Sequence, residues 1–506
     1  MHFAGSVTSK FATGEYMRIL FLYPEYSYPR KNPPIGLASL AAFVIQLRHE
    51  ARIIDFNVKN LSEKEFESKL KSYSPDLIGI SFMTNQYASA VELVRVSKNK
   101  LPKVFVIAGG PHASALPEEL LEEVPELDIV VYGEGEVPLR ELIDAFEENG
   151  LSDVSKVPNI SFRTHLNGKI VKTPPTTEVF DFRTPPRPAW HLLDLTKYRV
   201  FSAGGNPAEI TFALLSSRGC PGRCVFCDSH TIFGRKFRGR TAEDIFDEVL
   251  SLHETYGMVQ FDFVDDLVTI DKRRMFDFCE LIQNSGIKFR WMANARVNSL
   301  SEEMLLKMKE SGCVRIDLGV ESGDPAVRKR MKKGITNKQI VNVHKLCKKM
   351  KIYTGTFLMV GNLGETMESV KMTAKLMKGL TDDPSIAIAC PYPGTELFRI
   401  LDKKGFILTK DWTKYGTAPT FLKGYRPVMR TDTMTPEEIV EAYYYLQSVF
   451  ALDKFRARYG KLFYFNPRFI KEYLLDNKAY GGFRRKTKMG LRLGWNLIKR
   501  WIQQSL

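Results

Sequence analysis

The chain has 506 residues, enough for two or three domains with full-sized cores. Charged residues at 26% and hydrophobic residues at 44% exclude a disordered chain, and no apolar run approaches the roughly 18–20 residues of a membrane-spanning helix. The net charge of +15 is uneven: from Asp453 to Leu506 fourteen Lys/Arg face three Asp/Glu, a net of +11, which leaves +4 for the other 452 residues.

The first residues lack the apolar core of a signal peptide. Met17 opens directly onto a strand-like run at 18–23, so residues 1–16 read as a flexible extension or an upstream start. Seven cysteines, an odd number with only three clustered, argue against a secreted disulfide framework and fit a reducing cytoplasm.

Residues 17–150 alternate between strand and helix. Strands are predicted at 18–23, 51–55, 77–81, 104–108 and 129–132, with an apolar helix at 36–48 after Pro33-Pro34. This predicts a doubly wound parallel sheet, the Rossmann-like or flavodoxin-like type of α/β domain. Such sheets bind ligands outside the carboxyl ends of their strands. The turns Ser81-Phe82-Met83, Gly109-Gly110-Pro111-His112 and Gly133-Glu134-Gly135-Glu136 sit at those ends, where glycine lets a bulky ligand approach the backbone. Residues 151–205 have few periodic runs and read as a connector.

From residue 206 to 405 the alternation restarts. Strands are predicted at 210–216, 260–264, 289–294, 314–320, 354–360 and 386–389, with amphipathic helices at 242–256, 272–284, 302–310, 337–350 and 367–378. Six βα units predict a partial (β/α)6 barrel of the TIM type, with its site at the carboxyl ends of the strands. Directly after the first strand comes Ser217-Arg-Gly-Cys-Pro-Gly-Arg-Cys-Val-Phe-Cys227. Cys220, Cys224 and Cys227 can hold three corners of a [4Fe–4S] cluster and leave the fourth iron without a protein ligand. Two blander readings stand beside this one. The same thiolates would hold zinc with His230, or an electron-transfer cluster with a distant fourth cysteine. Cys279, Cys313 and Cys347 lie in helix and strand patterns and read as buried small hydrophobes.

The cysteine spacing, Phe226 before the last thiol and the place after the first of six βα strands resemble the radical S-adenosylmethionine (SAM) superfamily. Residues 17–150 resemble the cobalamin-binding domain that precedes the barrel in one large subgroup. Ser81-Phe82-Met83, then 25 residues, then Gly109-Gly110 fit the second half of the cobalamin signature, and Gly36, with 44 residues between it and Ser81, fits the last glycine of the first half. Lys31 and Pro33 stand where that signature has aspartate and histidine. Cobalamin is therefore expected to bind without a histidine ligand from this loop.

The resemblance covers roughly residues 17–405 and implies three cofactors: a [4Fe–4S] cluster on Cys220, Cys224 and Cys227, SAM on its open iron, and cobalamin. For cobalamin it points to Ser81, Phe82, Gly109, Gly110, Pro111, Gly133 and Glu134. For SAM it points to Phe226, Asn294, Ser322 and Gly361, with Asp265 for the methionine ammonium, Arg296 for its carboxylate and Glu321 for the ribose hydroxyls. Each acid is equally readable as a helix cap or surface ion pair. Cys390 and Tyr392 are candidate donors of a hydrogen atom or proton to substrate, with ordinary packing as the alternative. The implied activity is cleavage of SAM to a 5′-deoxyadenosyl radical and attack on an unactivated carbon, fed by a reductant such as a ferredoxin or flavodoxin. C-methylation of an amphiphilic, lipid- or isoprenoid-like substrate is the favoured outcome. Ring closure or carbon–carbon bond formation on a tetrapyrrole or lipid is the alternative, and a non-enzymatic iron–sulfur or zinc-binding protein the alternative class.

Residues 406–506 are predicted to be a basic, mostly helical region. Thr435-Pro-Glu-Glu opens a capped helix reaching about Leu452. Further on, Leu491, Trp495, Ile498 and Ile502 share one helical face, with Arg492, Lys499 and Arg500 off it. That pattern suits a helix lying in a membrane interface, where each cation near an anionic surface is worth on the order of 1 kcal/mol. A solvated end, a protein contact and, ranked lowest, nucleic acid are the other readings. The expected location is the cytoplasm, with peripheral attachment to the inner membrane face.

Overall fold

The computed structural model describes residues 16–26, 32–58, 61–149, 153–164, 168–198, 211–417, 419 and 424–460. The predicted 1–16 extension and the amphipathic stretch 491–502 lie outside them, Tyr16 apart.

The first sheet has β1 (Arg18–Tyr23), β2 (Glu50–Asp55), β3 (Leu77–Ser81), β4 (Phe105–Gly109) and β5 (Ile129–Val131), parallel in the order 2-1-3-4-5. Its strands are apolar on both faces because helices cover both. In β1, Ile19 and Phe21 pack with Leu37 and Ala41 of helix Ile35–Gln46, while Leu20 and Leu22 pack with Phe66 and Leu70 of helix Glu63–Tyr73. Each such side chain, fully buried, contributes about 1.5–3 kcal/mol.

The stretch expected to be a plain connector instead extends this sheet. β6 (Ile160–Arg163) and β7 (Ile170–Lys172) add to the β5 edge as antiparallel strands. Farther along, Tyr198 donates to Asp55 Oδ2 at 2.9 Å and Ala189 N to Ala38 O at 2.9 Å, while Trp190, Leu195 and Tyr198 join the core of the following domain, so the remainder spans both domains.

The second sheet is all parallel, in the order β15-β14-β13-β12-β11-β8. Its strands are β8 (Thr211–Leu214), β11 (Gln260–Phe263), β12 (Arg290–Ala295), β13 (Cys313–Glu321), β14 (Tyr353–Val360) and β15 (Asp383–Ile388). A two-stranded hairpin, β9 (Ser217–Arg218) and β10 (Arg238–Gly239), brackets the cysteine segment. Sequence order equals spatial order, and β8 and β15 are the two edges, so the six βα units form an open arc. Helices Ala242–Tyr256, Lys272–Asn284, Glu302–Glu310, Asn337–Lys349 and Met367–Met377 cover its outer face.

Helix Pro436–Tyr459 opens on a capping box between Thr435 and Glu438. Its Ile439, Ala442, Tyr443 and Leu446 belong to the same outer core as β14 and β15. The start of the region predicted as a separate basic end thus completes the barrel's outer layer. Among the described residues no helix is long and apolar enough to cross a membrane.

Candidate active site

The inner face of the arc follows from strand alternation. In β14, Leu358 and Val360 join the outer core, so Tyr353, Gly355, Phe357 and Met359 face inward. Tyr353 and Phe357 are 36% and 40% exposed. By the same alternation, β13 turns Arg315, Asp317 and Gly319 inward, β12 Met292 and Asn294, and β11 Asp262. Arg315 Nε donates to Asp317 Oδ1 at 2.7 Å and Arg315 Nη1 to Asp383 Oδ2 at 3.2 Å. A Cβ at Gly355 would fall 1.8 Å from Asp317 Oδ1, so only glycine lets that carboxylate lie across β14.

Asp262 is pushed up to about 7, first by burial and then by the Asp317 charge, against the pull of Arg315. Its folded value lies above the unfolded one, so the folded state keeps a proton that the unfolded chain releases. Stability therefore falls as pH rises from about 4 to about 7. Asn does not titrate. The stability of Asp262→Asn relative to the parent is expected to rise by about 3 kcal/mol between about pH 5 and about pH 8, read from denaturant midpoints. A pH-independent difference refutes the assignment.

The cysteine loop leaves β9 and is pinned at its middle, where Val225 N donates to Met331 O at 3.2 Å and Val225 O accepts from Leu397 N at 2.7 Å. Gly219 has φ +81°, and a Cβ there would lie 2.2 Å from Lys236 O. The backbone closes on its return strand only because that residue is glycine. All three cysteines are free and half-buried. Burial raises the Cys220 and Cys227 thiols above the ordinary range, and Cys227 Sγ donates to Ser229 Oγ at 3.4 Å. Arg296 Nη1 donates to Cys224 Sγ at 3.7 Å, supplying a cation to that sulfur. Among the described residues no three His, Cys, Asp or Glu side chains are gathered into a metal-holding group, which holds for the three thiols alone as for the three thiols with His230. The donor chemistry, three free thiols beside a guanidinium, fits a cluster held at three corners.

A cleft of about 540 Å³ opens beside the loop, between Pro221, Gly222, Leu267, Arg296, Asn298 and Met304. Arg296 reaches from this cleft to Cys224 and also donates to Lys333 O. Lys333 Nζ bonds Glu321 Oε1 at 2.8 Å and stands 5.8 Å from the Phe226 ring centre. Glu321 has φ +67°, at a register shift between Gly319 and Glu321, a conformation that costs a non-glycine residue about 1–3 kcal/mol. Phe226, Arg296 and Glu321 are therefore brought together around Lys333 next to Cys224. Asn294 lies on the inner face, in register with Asp317.

The structure directs five other expected residues elsewhere. Asp265 is 1% exposed and accepts from Ser216 N at 3.0 Å, Ser216 Oγ at 2.8 Å and Ser217 Oγ, so it ties the end of β8 rather than a ligand. Ser322 is fully buried, 3.4 Å from Thr373 Oγ1. Gly361 N donates to Glu365 Oε2 at 2.7 Å, and Ile439 lies 3.0 Å from the position of its absent Cβ. Cys390 is 5% exposed, packed with Trp412, Tyr415 and Val428, and burial pushes its thiol up to about 12. Half-buried Tyr392 packs on the edge of that cluster, 6.4 Å from the Tyr415 ring.

In the first domain the order 2-1-3-4-5 places the ligand crevice at the ends of β1 and β3. Gly109, at the end of β4, is open: only Val131 O lies within 4 Å of its absent Cβ, at 3.9 Å. Gly110 has φ +88°, with Ser81 Oγ at 2.7 Å and Phe82 N at 2.8 Å from the position of a Cβ. The Asn85 Oδ1 atom, on the turn after Ser81, is buried without a hydrogen-bond partner. Open backbone beside an unsatisfied acceptor fits a large amide-bearing ring. Gly110→Ala is expected to lose bound cobalamin and to destabilise by at least about 1–2 kcal/mol from its left-handed backbone alone; absorbance of the purified holoprotein and a denaturant midpoint check both.

Phe82 is core, its N donating to Gly109 O at 3.2 Å, and Pro111 is the first residue of helix Pro111–Ala115. Gly133 N bonds Ser114 Oγ at 3.0 Å. Glu134 is taken up by ion pairs with Arg218 and Arg238 across the domain boundary. His112 is 1% exposed and faces Thr84 Oγ1 at 3.1 Å, between Phe82, Tyr87 and Trp412; burial pushes it down to about 4, which keeps it neutral. Trp412 on His112, and Gly394 with Thr231 and Ala115 at 2.7 and 3.2 Å from its absent Cβ, show that the carboxyl end of the first sheet abuts the cysteine-loop side of the barrel. Lys333, Arg218, Glu136 and Asp262 were not singled out from sequence. Of the adjacent lysines Lys332 and Lys333, the first bonds Glu396 at half exposure while the second turns inward.

A thiol-bearing loop at the mouth of an open parallel barrel, abutted by a sheet built to hold a large ring, defines a cofactor-dependent radical enzyme. Residues 214–377 match the radical SAM superfamily model and residues 27–143 the B12 binding domain. The chain is 34% identical over 430 residues to an uncharacterized methyltransferase of Pyrococcus horikoshii, covering 84% of this chain and 90% of that one. It is 27% identical over 486 residues to the anaerobic magnesium-protoporphyrin IX monomethyl ester cyclase of Rubrivivax gelatinosus, covering 94% and 81%. The fold matches the solved cobalamin-dependent SAM radical enzyme OxsB with a TM-score of 0.70 at 17% identity, over 97% of this chain and 80% of that one. The chain belongs to the radical SAM superfamily, within its cobalamin-dependent methyltransferase and cyclase family, and its cofactors are a [4Fe–4S] cluster, SAM and cobalamin.

Proposed function

We propose that the protein is a C-methyltransferase acting on an amphiphilic, lipid- or isoprenoid-like molecule. The observation that carries the substrate class is the inner face of the barrel, where the exposed ring of Phe357 stands one inward position beyond Gly355, across which the Asp317 carboxylate lies. An apolar body would lie on the ring while a hydrogen-bonding group meets the carboxylate.

Cys220, Cys224 and Cys227 would hold the cluster, the ends of β3 and β4 the corrin. When bound, the cofactors supply a 5′-deoxyadenosyl radical and a methyl group. The chain's part is positional. Arg296 presents a guanidinium fork to a carboxylate entering the cleft. Lys333 aims the Glu321 carboxylate at a ribose diol, and Phe226 closes one side against water. Residues 17–150 would form the cobalamin unit and 206–405 the barrel, with a ferredoxin- or flavodoxin-like donor supplying electrons.

Incubating the reduced holoenzyme with methyl-labelled SAM and a total lipid extract tests this reading. Label in the organic phase supports it; label confined to water-soluble products overturns the substrate class. Ring closure on a tetrapyrrole is the second reading, favoured by the similarity to the protoporphyrin ester cyclase along 94% of this chain.

A further inference from the structure

Arg218 immediately precedes Gly219-Cys220, yet its side chain is only 6% exposed. Its Nη1 donates to Glu134 Oε2 at 2.7 Å and its Nη2 to Glu136 Oε1 at 2.6 Å. The guanidinium carbon stands 4.4 Å from the Phe182 ring centre and 5.2 Å from that of Phe233. Arg238, paired with Arg218 across the β9–β10 hairpin, also donates to Glu134. One buried cation thus joins the root of the cysteine loop, the segment around Phe182 and the 133–136 turn of the first domain. That turn carries Gly133, whose absent Cβ would lie 3.9 Å from Ile232 O on the far side of the cysteine loop. Arg218 Nε is buried without a partner, beside a cavity of about 20 Å³ lined by Ser39, Glu136, Leu215 and Arg240. That volume admits one water molecule.

Stability alone does not account for this arrangement. Well-packed apolar residues of similar volume usually serve as well as a buried ion pair or better. A planar fork grasped by two carboxylates adds something an apolar contact lacks: it fixes orientation as well as distance. Because the carboxylates sit on one cofactor's domain and the cation at the root of the other's loop, what it fixes is the relation between the two sites.

We propose that Arg218, gripped by Glu134 and Glu136, is a positioning residue that sets the cysteine loop against the cobalamin-facing turn, so that its loss loosens both segments together without emptying either site. The inference rests on both cofactors binding as described, so iron, sulfide and cobalamin contents of the full-length protein are measured first. A parent protein that fails to load refutes that assignment rather than the strut.

The test uses Arg218→Lys, which keeps the charge and removes the fork, and Glu136→Gln, which keeps the volume; if either variant fails to fold, the other carries the readout. Hydrogen exchange on the cofactor-free full chain is expected to rise at least about tenfold, equivalent to about 1.4 kcal/mol, in both the 133–140 and 217–240 segments. With both cofactors loaded, the magnetic coupling that the reduced cluster imposes on the cob(II)alamin paramagnetic resonance signal is expected to weaken. Exchange rising in only one segment or in neither, or coupling identical to the parent at equal loading, overturns the proposal.

Discussion

Replacing Cys227 with alanine is expected to abolish reductive SAM cleavage while leaving the fold intact. Its side chain is half-buried in a loop held by backbone bonds at Val225, and its sulfur donates to Ser229 Oγ at 3.4 Å. Losing a partner that merely orients a metal ligand costs roughly 10–100-fold. Loss of one of three cluster ligands has to exceed that, so 5′-deoxyadenosine formation is expected to drop at least about a thousandfold, with iron content falling in parallel. Arg296→Lys keeps the charge beside Cys224 but not the fork, and is expected to fall within the 10–100-fold range. Equal losses in the two variants refute the division between holding and orienting the cluster.

The second large effect concerns stability. Lys333 and Glu321 are a buried pair with side chains 8% and 9% exposed, and Glu321 sits in a strained conformation at the bulge of β13. Lys333→Met leaves the carboxylate buried and unpaired, which is expected to cost about 3–5 kcal/mol. In Lys333→Met/Glu321→Gln the uncompensated charge is gone, so most of that loss is expected to return. Denaturant midpoints of the two single variants and the double variant measure the coupling. Additive effects contradict the pairing.

Much of this was legible in the sequence, and the limits have physical causes. Runs such as Arg18–Tyr23 and helices such as Ala242–Tyr256 stand where hydrophobic periodicity placed them. The cysteine loop was legible because its spacing encodes ligand geometry directly. At strand ends, position was readable but direction was not. Asp265 and Asp266 are adjacent; the first is consumed by Ser216 and Ser217, while the second is exposed. Bulges break the two-residue alternation that would tell them apart, as at Glu321. The β6–β7 hairpin was missed although Asn167-Gly168 is a strong hairpin signal, because strands of four and three residues are too short to show a period. Nothing in a linear chain shows that Glu134 and Glu136 will meet Arg218.

The assignment of Cys220, Cys224 and Cys227 to a SAM-cleaving cluster is tested most directly by one experiment. The full-length protein is reconstituted anaerobically with iron, sulfide and cobalamin, reduced with dithionite and given SAM. Release of 5′-deoxyadenosine is expected from the parent and not from Cys227→Ala. A parent protein carrying its full complement of iron and cobalamin that releases none contradicts the assignment.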